Sequence, residues 1–488
     1  MNSHYLRRGL LLACLISVCA PTASAAEERM NVLFIMADDL RPELATYGSP
    51  AITPHLDRLM QRSLQFNRAY CQQAVCNPSR SSMLTGLRPD TLQLWNNGTH
   101  FRERQPDVMT LPLWFRENDY ETRCCGKIFH NWHTKDKGDA RSWSRPEFLH
   151  YANHGDDKPV VDGPLGENFA SAPRCECYDV PDDAYYDGRV AREAVKTLAE
   201  IKNQPFFLAV GFWKPHAPFN APKKYWDLYD RSKLPPFDPN RPNGAPELAF
   251  HDGRELRGLP PNQITFTQEQ AMEIRHGYLA GVSYMDAQLG RVLDALDQHQ
   301  LSERTVIVFA GDHGYHLGEH SLWAKTSNFE LDARVPLAIS VPGMSSRGQT
   351  TNSLAELLDL FPTLVDLCKL PARSELEGKS LAPVLKNPAT TVHRAVYTQH
   401  PRPAYFDREP SRQPKAMGAS VRTDSIRYTE WRDWTSGEVV AKELYDHRVD
   451  AAEMTNVADR PDVAKFQHEA EELLRQQFPL TPHPAAPQ

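Results

Sequence analysis

A short polar block around Cys76 holds side chains that could carry out chemistry. Cys76-Asn77-Pro78-Ser79-Arg80 is followed by Ser81-Ser82-Met83-Leu84-Thr85-Gly86. Pro78 suits the first turn of a helix and Gly86 suits the position after its last turn, so the block predicts a helix that begins near Cys76. The N-terminus of such a helix attracts anions. A buried structural cysteine and a thiolate nucleophile both fit this position.

Polar residues also follow three apolar runs that are typical of buried strands. Asp38-Asp39 ends the first run, Lys214-Pro215-His216 the second and Asp312-His313 the third. Ligands of open parallel sheets bind beyond the carboxyl ends of the strands, so these side chains are expected to converge. A single aspartate is more often a turn residue or a helix cap. Three of them beside an anion-binding helix predict a site for a hard cation with oxygen ligands, of which calcium is the best example.

The elements that must position these residues alternate between strands and helices. Apolar runs predict strands at Asn31–Met36, Tyr120–Cys125, Phe206–Phe212 and Thr305–Ala310. Thr53-Pro54 predicts the start of one helix. Three further helices are predicted at Leu111–Glu117, Ala184–Ile201 and Gln268–Gln298. This alternation predicts an α/β fold with a large, mostly parallel sheet flanked by helices. Residues 140–180 and 230–265 are rich in Pro, Gly and Asp, and we expect them to form surface loops.

The character of the chain changes near residue 387. Four short strands with a hairpin turn at Thr423-Asp424 and a closing helix at Val463–Gln477 are predicted there. The strands are Ala395–Gln399, Ala419–Arg422, Ser425–Trp431 and Glu443–Asp446. The sequence therefore predicts a catalytic α/β domain over residues 27–386 and a smaller C-terminal α+β subdomain, built on an antiparallel sheet, over residues 387–488.

The first 25 residues have the composition of a signal peptide. Arg7 and Arg8 precede the apolar run Gly9–Ala20, and Ala23-Ser24-Ala25 offers a cleavage site. We expect an exported protein, periplasmic or secreted in a bacterium and lysosomal in a eukaryote. The apolar run is too short to span a membrane, and no later run is long enough. A lipoprotein signal that ends at Cys14 is the alternative, although it would shorten the apolar run.

Composition limits the kind of partner that the protein can bind. The 488 residues carry a formal charge of −7, and removing residues 1–25 deletes two arginines and no acid, which leaves −9. This balance argues against nucleic acid or an anionic membrane as the partner. An anionic substrate would need a local cluster of cations. Of the nine cysteines, two lie in the signal, and the odd number that remains points to one that is unpaired by design.

The block at Cys76 resembles the signature of the sulfatase family, in which Cys-x-Pro-Ser-Arg and Leu-Thr-Gly surround a cysteine that is oxidised to formylglycine. The resemblance runs from about residue 31 to residue 430 and is nearest to the iduronate-2-sulfatase type. The matching stretches are Asp38-Asp39-Leu40-Arg41-Pro42, Gln72-Gln73-Ala74-Val75-Cys76, Gly126-Lys127-Ile128-Phe129-His130, Lys214-Pro215-His216-Ala217-Pro218-Phe219, Ser283-Tyr284-Met285-Asp286, Asp312-His313-Gly314, Leu317-Gly318-Glu319-His320, Trp323-Ala324-Lys325 and Pro401-Arg402-Pro403.

The resemblance implies a calcium-dependent sulfatase that acts on a sulfated saccharide containing uronic acid. A formylglycine-generating maturation enzyme would convert Cys76 to 3-oxoalanine, whose hydrate is the nucleophile. The implied calcium ligands are Asp38, Asp39, Asp312, His313 and the formylglycine at position 76. Most sulfatases have asparagine in place of His313, whereas the iduronate type has histidine.

The resemblance also implies roles for five further residues. Arg80 is expected to anchor the formylglycine, while Lys127 and Lys325 hold sulfate oxygens as charge builds on them. His216 is the candidate acid for the leaving oxygen, and His130 is the candidate base for the elimination step. By position alone, a loop histidine or a lysine is more often a solvated surface residue.

Two other functions remain open at this point. A phosphate monoester or diester hydrolase of the wider alkaline phosphatase group would share the sheet, the aspartates and the formylglycine. Inactivation by removal of zinc rather than calcium, or faster turnover of phenyl phosphate than of phenyl sulfate, would identify it. An inactive glycan-binding relative would keep Cys76 as a thiol, which a peptide mass would reveal.

Overall fold

The computed structural model describes residues 29–130, 137–148, 175–258, 263–409, 411 and 413–484. The predicted signal peptide, with Cys14, lies outside these ranges, and so do residues 149–174 of the predicted loop 140–180. The described residues form sixteen strands: β1 Asn31–Asp38, β2 Leu64–Tyr70, β3 Glu121–Gly126, β4 Cys175–Tyr178, β5 Phe206–Pro215, β6 Phe219–Pro222, β7 Thr305–Gly311, β8 His316–Leu317, β9 Trp323–Ala324, β10 Arg334–Ser340, β11 Gln349–Thr351, β12 Ala355–Glu356, β13 Val396–Arg402, β14 Ala416–Arg422, β15 Ile426–Asp433 and β16 Val439–Asp446.

The α-helices of the same ranges vary from single turns to a helix of 31 residues. They are α1 Pro54–Met60, α2 Cys76–Thr85, α3 Pro89–Leu92, α4 Phe101–Arg104, α5 Leu111–Glu117, α6 Tyr186–Ile201, α7 Lys223–Trp226, α8 Arg254–Arg257, α9 Gln268–Gln298, α10 Glu330–Ala333, α11 Leu360–Leu367, α12 Ala382–Lys386 and α13 Ala464–Gln477. No described helix is long and apolar enough to cross a membrane.

One large sheet of eight strands organises the molecule. Its order is β11-β2-β10-β7-β1-β5-β3, and β12 also pairs with β2. β3, β5, β1 and β7 run parallel to their neighbours in this series, whereas β10 is antiparallel to both β7 and β2. The sheet is mixed but mostly parallel, which confirms the predicted fold class. The carboxyl ends of β5, β1 and β7 therefore lie side by side at one edge.

Both faces of this sheet are covered, and β1 shows why its sequence is apolar throughout. Leu33 and Ile35 pack into a buried cluster with residues of α6 and α9. Val32, Phe34 and Met36 point the other way, into a cluster with residues of α2, α5 and α11. Because successive side chains of a strand alternate between faces, a strand buried on both sides reads as a continuous apolar run.

The C-terminal region forms the predicted antiparallel sheet, in the order β13-β14-β15-β16. Val421, Tyr428 and Leu444 pack under α13 in a separate buried cluster. Several strand ends extend two to four residues beyond the prediction. Pairing with the neighbouring strand continues there past the apolar residues from which the strands were predicted. The division of the chain at residue 387 stays a prediction.

Two parts of the predicted loops are ordered elements. β4 pairs in parallel with β6, and α8 interrupts the region 230–265. Both are four residues long, which is too short to give a periodic signal. The described part of 230–265 is mostly irregular, as expected, but α8 is an exception that brings a side chain into the site described next.

Candidate active site

Cys76 is the first residue of α2, as the sequence predicts. The helix ends at Thr85, and Gly86 follows in the left-handed conformation with φ of 69°. The Cys76 side chain is fully buried, with Sγ 3.3 Å from His313 Nε2. Burial raises the pKa of the Cys76 thiol to about 12, although the charge of Lys127 opposes this. The thiol is therefore poorly suited to act as a thiolate nucleophile.

Three carboxylates meet beside Cys76 because β1 and β7 end together. Their register pairs Ala37 with Gly311, so that Asp38 and Asp312 come next on adjacent strands. Asp39 has a positive φ of 60°, and its N–H donates to Asp312 Oδ1 at 3.0 Å. The ligating atoms of Asp38, Cys76, Asp312 and His313 all lie within 4.8 Å of one another. Asp38, Asp39, Cys76 and His216 form an overlapping group of the same size.

These donors fit a hard divalent cation. Burial raises the pKa of Asp39 well above its ordinary value, and the Asp38 charge adds to this while Lys325 opposes it. A cation among the carboxylates would relieve that cost. The His313 Nδ1 is 2.9 Å from Gly314 O, which turns Nε2 towards the cluster, where it lies 3.4 Å from Asp39 Oδ1. Cys76 Sγ marks the place that a formylglycine oxygen would take.

Arg80 joins three segments of the site. Its Nε donates to Asp312 Oδ2 at 2.7 Å and its Nη2 to Asp38 Oδ1 at 2.9 Å. Nη1 donates to the carbonyl oxygens of Lys127 and Ile128, at 2.6 and 2.9 Å. Burial disfavours the charged guanidinium, but Asp312 and Asp38 outweigh this and raise the pKa of Arg80 above its ordinary value. Arg80 thus holds the ends of β1 and β7 and the segment after β3 in one geometry.

Lys127 reaches the site from the end of β3. Its Nζ donates to Asp38 and lies 4.5 Å from the centroid of the Trp213 ring. Burial opposes ionisation of Asp38, but Lys127 and Arg80 hold its pKa well below the ordinary value. The backbone needs glycine at position 211 in the adjacent strand, because a Cβ there would lie 1.9 Å from Lys127 O.

Lys325 and His216 form the opposite side of the site. Lys325 Nζ is 3.0 Å from both oxygens of Asp39 and 3.2 Å from His216 Nε2. The His216 Nδ1 bonds to Ala217 O, so Nε2 accepts from Lys325. Burial lowers the pKa of His216 well below its ordinary value, and the Lys325 charge lowers it further. His216 is accordingly a neutral imidazole in this arrangement.

His130 is the remaining histidine that the sequence selects. It follows Lys127 by three residues, on the segment that Arg80 holds, and it is only 3% exposed. Its burial excludes the simple alternative of a solvated loop histidine. Its role as a base stays a prediction.

Two acids contribute to the site without any signal in the sequence. Glu255, on α8, places Oε1 2.8 Å from Lys325 Nζ and 3.7 Å from His216 Nε2. Its Oε2 accepts from the Tyr405 hydroxyl at 3.2 Å. Asp187, in the first turn of α6, accepts the backbone N–H groups of Trp213 and Lys214 at 2.7 and 2.9 Å. In the sequence, Asp187 looks like an ordinary acid at a helix N-terminus.

Two family profiles and a similar relative match this chain. The profile of the family described as Sulfatase matches residues 30–370, and that described as N-sulphoglucosamine sulphohydrolase, C-terminal, matches residues 318–478. Iduronate 2-sulfatase of Homo sapiens is 36% identical, over 89% of this chain and 92% of that protein.

Solved structures share the fold. A phosphonate monoester hydrolase from Silicibacter pomeroyi matches with a TM-score of 0.74 and 23% identity, over 93% of this chain and 96% of that one. A protein in complex with its substrate D-glucosamine-2-N,6-O-disulfate matches with a TM-score of 0.72 and 21% identity, over 93% and 98%.

Proposed function

This chain belongs to the sulfatase family and is a sulfuric ester hydrolase, and we propose that it cleaves a sulfate ester on a saccharide containing uronic acid. The proposed nucleophile is the hydrate of a formylglycine made from Cys76, with a bound calcium ion. One observation carries this proposal: Cys76 begins a buried helix among three carboxylates and an imidazole, with two lysines beside those carboxylates. The saccharide is inferred from the iduronate 2-sulfatase relative.

The hydrated aldehyde at position 76 carries two hydroxyl groups on one carbon. One hydroxyl passes its proton to a carboxylate beside residue 76 and attacks sulfur, and the bond from sulfur to the sugar oxygen breaks. The second hydroxyl then loses its proton, the bond from that carbon to the sulfate oxygen breaks, and sulfate leaves as the aldehyde forms again. Water adds to the aldehyde and restores the hydrate. A serine in this place would lack the second hydroxyl and therefore this route of release.

The charged side chains have separate tasks in this scheme. Calcium, held by Asp38, Asp39, Asp312, His313 and residue 76, would supply positive charge that favours ionisation of a hydroxyl. Arg80 anchors the formylglycine and fixes Asp38 and Asp312 by its two ion pairs. Lys127 and Lys325 turn from their carboxylates towards the sulfate oxygens as negative charge grows on them.

Two histidines transfer protons. When a sulfate oxygen takes over Lys325, His216 Nε2 loses that donor, and the charge of the substrate favours its protonation. His216 then protonates the sugar oxygen as the S–O bond breaks. His130 takes the proton of the second hydroxyl in the release of sulfate.

Maturation and export complete the proposal. Cys76 and the helix that it begins are buried, so the formylglycine-generating enzyme must act before this part of the chain folds. The signal-like residues 1–25 would direct the protein out of the cytoplasm, to the periplasm or beyond in a bacterium.

A peptide mass and a rate test the proposal together. The peptide with residue 76 should be about 18 Da lighter than its cysteine form, because an aldehyde replaces the thiol. The matured protein should hydrolyse nitrophenyl sulfate. Cys76→Ala should have no measurable turnover, yet it should keep the circular dichroism and melting behaviour of a folded protein. Full activity in a protein with intact cysteine at position 76 would refute the nucleophile.

A further inference from the structure

The charged side chains around residue 76 include one acid more than the proposed metal site uses. Four carboxylates face three cations in this network. The carboxylates belong to Asp38, Asp39, Asp312 and Glu255, and the cations to Arg80, Lys127 and Lys325. Three of the carboxylates belong to the proposed metal site, and Glu255 is the fourth.

A further acid beside the substrate affects two classes of ester differently. A sulfate monoester carries a single negative charge, whereas a phosphate monoester carries two above a second pKa of about 6. The two esters are similar in shape, so charge is the property by which a site can separate them. An acid beside the place of the sulfate oxygens repels both esters, and by Coulomb's law it repels a dianion about twice as strongly as a monoanion.

Glu255 is the acid that makes the difference. It lies outside the group of proposed metal ligands and contacts Lys325, the lysine next to His216. Burial opposes its ionisation, but the charge of Lys325 holds the pKa of Glu255 at about 2, so it is ionised at neutral pH. The Tyr405 hydroxyl fixes its second oxygen. Its charge is thus held on the side where sulfate oxygens and the leaving group would lie.

We propose that Glu255 is a specificity-determining residue that favours monoanionic sulfate esters, because it repels dianionic phosphate monoesters more strongly. The inference rests on the proposed function, since it assumes a sulfuryl group at Lys325. Repulsive charge placed against a competing ligand is an effective way to separate similar ligands. When a ligand carries one more negative charge within several ångströms of a carboxylate in a partly buried site, its binding weakens by about tenfold or more.

The variant Glu255→Gln keeps the shape of the side chain and removes its charge. We expect the ratio of kcat/KM for nitrophenyl phosphate to that for nitrophenyl sulfate, at pH 8, to rise by about tenfold or more. A ratio does not depend on the fraction of folded or matured enzyme. An unchanged or lower ratio would overturn the role of Glu255. Absence of sulfate ester turnover in the wild type would instead refute the proposed function.

A matched control separates charge from loosening of α8. Glu409 pairs with Arg254 of the same helix at 2.7 Å, so Glu409→Gln removes an acid that supports α8. We expect this variant to keep the wild-type ratio. A rise equal to that of Glu255→Gln would mean that disturbing α8 is sufficient, and the proposal would fail.

Binding gives a measurement that does not need turnover. The affinities of the two esters can be measured by calorimetry in a Cys76→Ala background loaded with calcium. At pH 8, Glu255→Gln should increase the affinity for nitrophenyl phosphate relative to that for nitrophenyl sulfate. The nitrophenyl group lowers the second pKa below the ~6 of a phosphorylated side chain, so near pH 4 the phosphate ester is mainly a monoanion and the gain should shrink. A gain of the same size at both pH values would contradict selection by charge.

Discussion

Lys325 and His216 touch each other, and changing the leaving group separates their roles at the scale of single residues. An acid matters most when the leaving group is poor, because a good one departs without its proton. His216→Ala should therefore lose about 10²-fold on a sugar sulfate and far less on nitrophenyl sulfate. Lys325→Ala removes stabilisation that both substrates need, so both rates should fall alike.

The measurement is the ratio of the two kcat/KM values for each variant, which modest losses of folded protein do not affect. If His216→Ala lowers kcat/KM equally for both substrates, another residue is the general acid. His130, buried on the segment beside Lys127, would then be the first to replace.

The residues that the sequence selected are those that end strands or begin a helix. Asp38, His216 and Asp312 could be placed together because parallel strands deliver their carboxyl ends to one edge. Glu255 could not, since α8 is a single turn in a Pro- and Gly-rich stretch and only the folded chain brings it to Lys325. The conversion of Cys76 to formylglycine was predicted from the resemblance to the sulfatase family, because the spacing of the residues alone also fits a buried thiol.

At the scale of elements, the junction of α6 and β5 fixes the segment that carries His216. Asp187 of α6 accepts the N–H groups of Trp213 and Lys214, just before His216, and Trp213 also lies under Lys127. Lys214 Nζ in turn donates to the carbonyl oxygens of His216 and Pro218 at 3.0 and 2.7 Å. These bonds hold the end of β5 in position without contact to the proposed metal ligands.

Asp187 makes stability depend on pH in a way that can be measured. Burial raises the pKa of its carboxyl from the ordinary 3.8 to about 6, although the two N–H groups oppose this. The folded state therefore holds this proton more tightly than the unfolded state, and the free energy of unfolding falls as pH rises from about 4 to above 6. Relative to Asp187→Asn, the wild type should lose up to about 3 kcal/mol over that range.

Urea denaturation of both proteins at pH 4.5, 6 and 7.5 measures this difference. The comparison between variants removes the contribution of other titrating groups that they share. A difference in the free energy of unfolding that stays constant with pH would show that Asp187 acts only through its hydrogen bonds. Asp187→Asn should also lower activity, because it replaces one of the two carboxylate oxygens that accept backbone N–H groups at the end of β5.

At the scale of the whole molecule, the boundaries of two helices followed the sequence closely and those of the small sheet did so less well. Leu111–Glu117 and Gln268–Gln298 agree with prediction at both ends. A threonine side chain caps the first turn of each helix, and in the longer helix it belongs to a capping box. The strands of the small sheet extend beyond their apolar residues, since pairing with neighbours sets their ends. Strand order could not be predicted, because it depends on contacts distant in the sequence.

Metal removal should act on the whole fold as well as on activity. Three carboxylates buried beside Cys76 lose a counter-charge when the cation leaves, and the ligand stabilises only the folded state. Exhaustive chelation should abolish hydrolysis of nitrophenyl sulfate and lower the melting temperature, and calcium should restore both. Unchanged activity after metal analysis confirms complete removal would contradict a metal-dependent reaction.

The contact between the two sheets tests whether the chain divides at residue 387 into independent units. Arg427 of β15 is fully buried and pairs with Glu453 at 2.7 Å and with Glu330, just before β10 of the large sheet, at 2.6 Å. Removing one partner of a buried ion pair costs about 3–5 kcal/mol. Arg427→Ala should therefore lower the melting temperature strongly.

A single calorimetric transition is expected for both the wild type and Arg427→Ala, because Glu330 also pairs with Arg422 of β14 at 3.3 Å and keeps the small sheet tied to the segment that precedes β10. The control is Arg448→Ala, whose pair with Asp446 is 2.6 Å long but lies on a half-exposed arginine. Such surface pairs contribute about 0–1 kcal/mol, so this variant should melt close to the wild type. Two separate transitions, with only the smaller one shifted by Arg427→Ala, would instead establish residues 387–488 as a unit that unfolds alone.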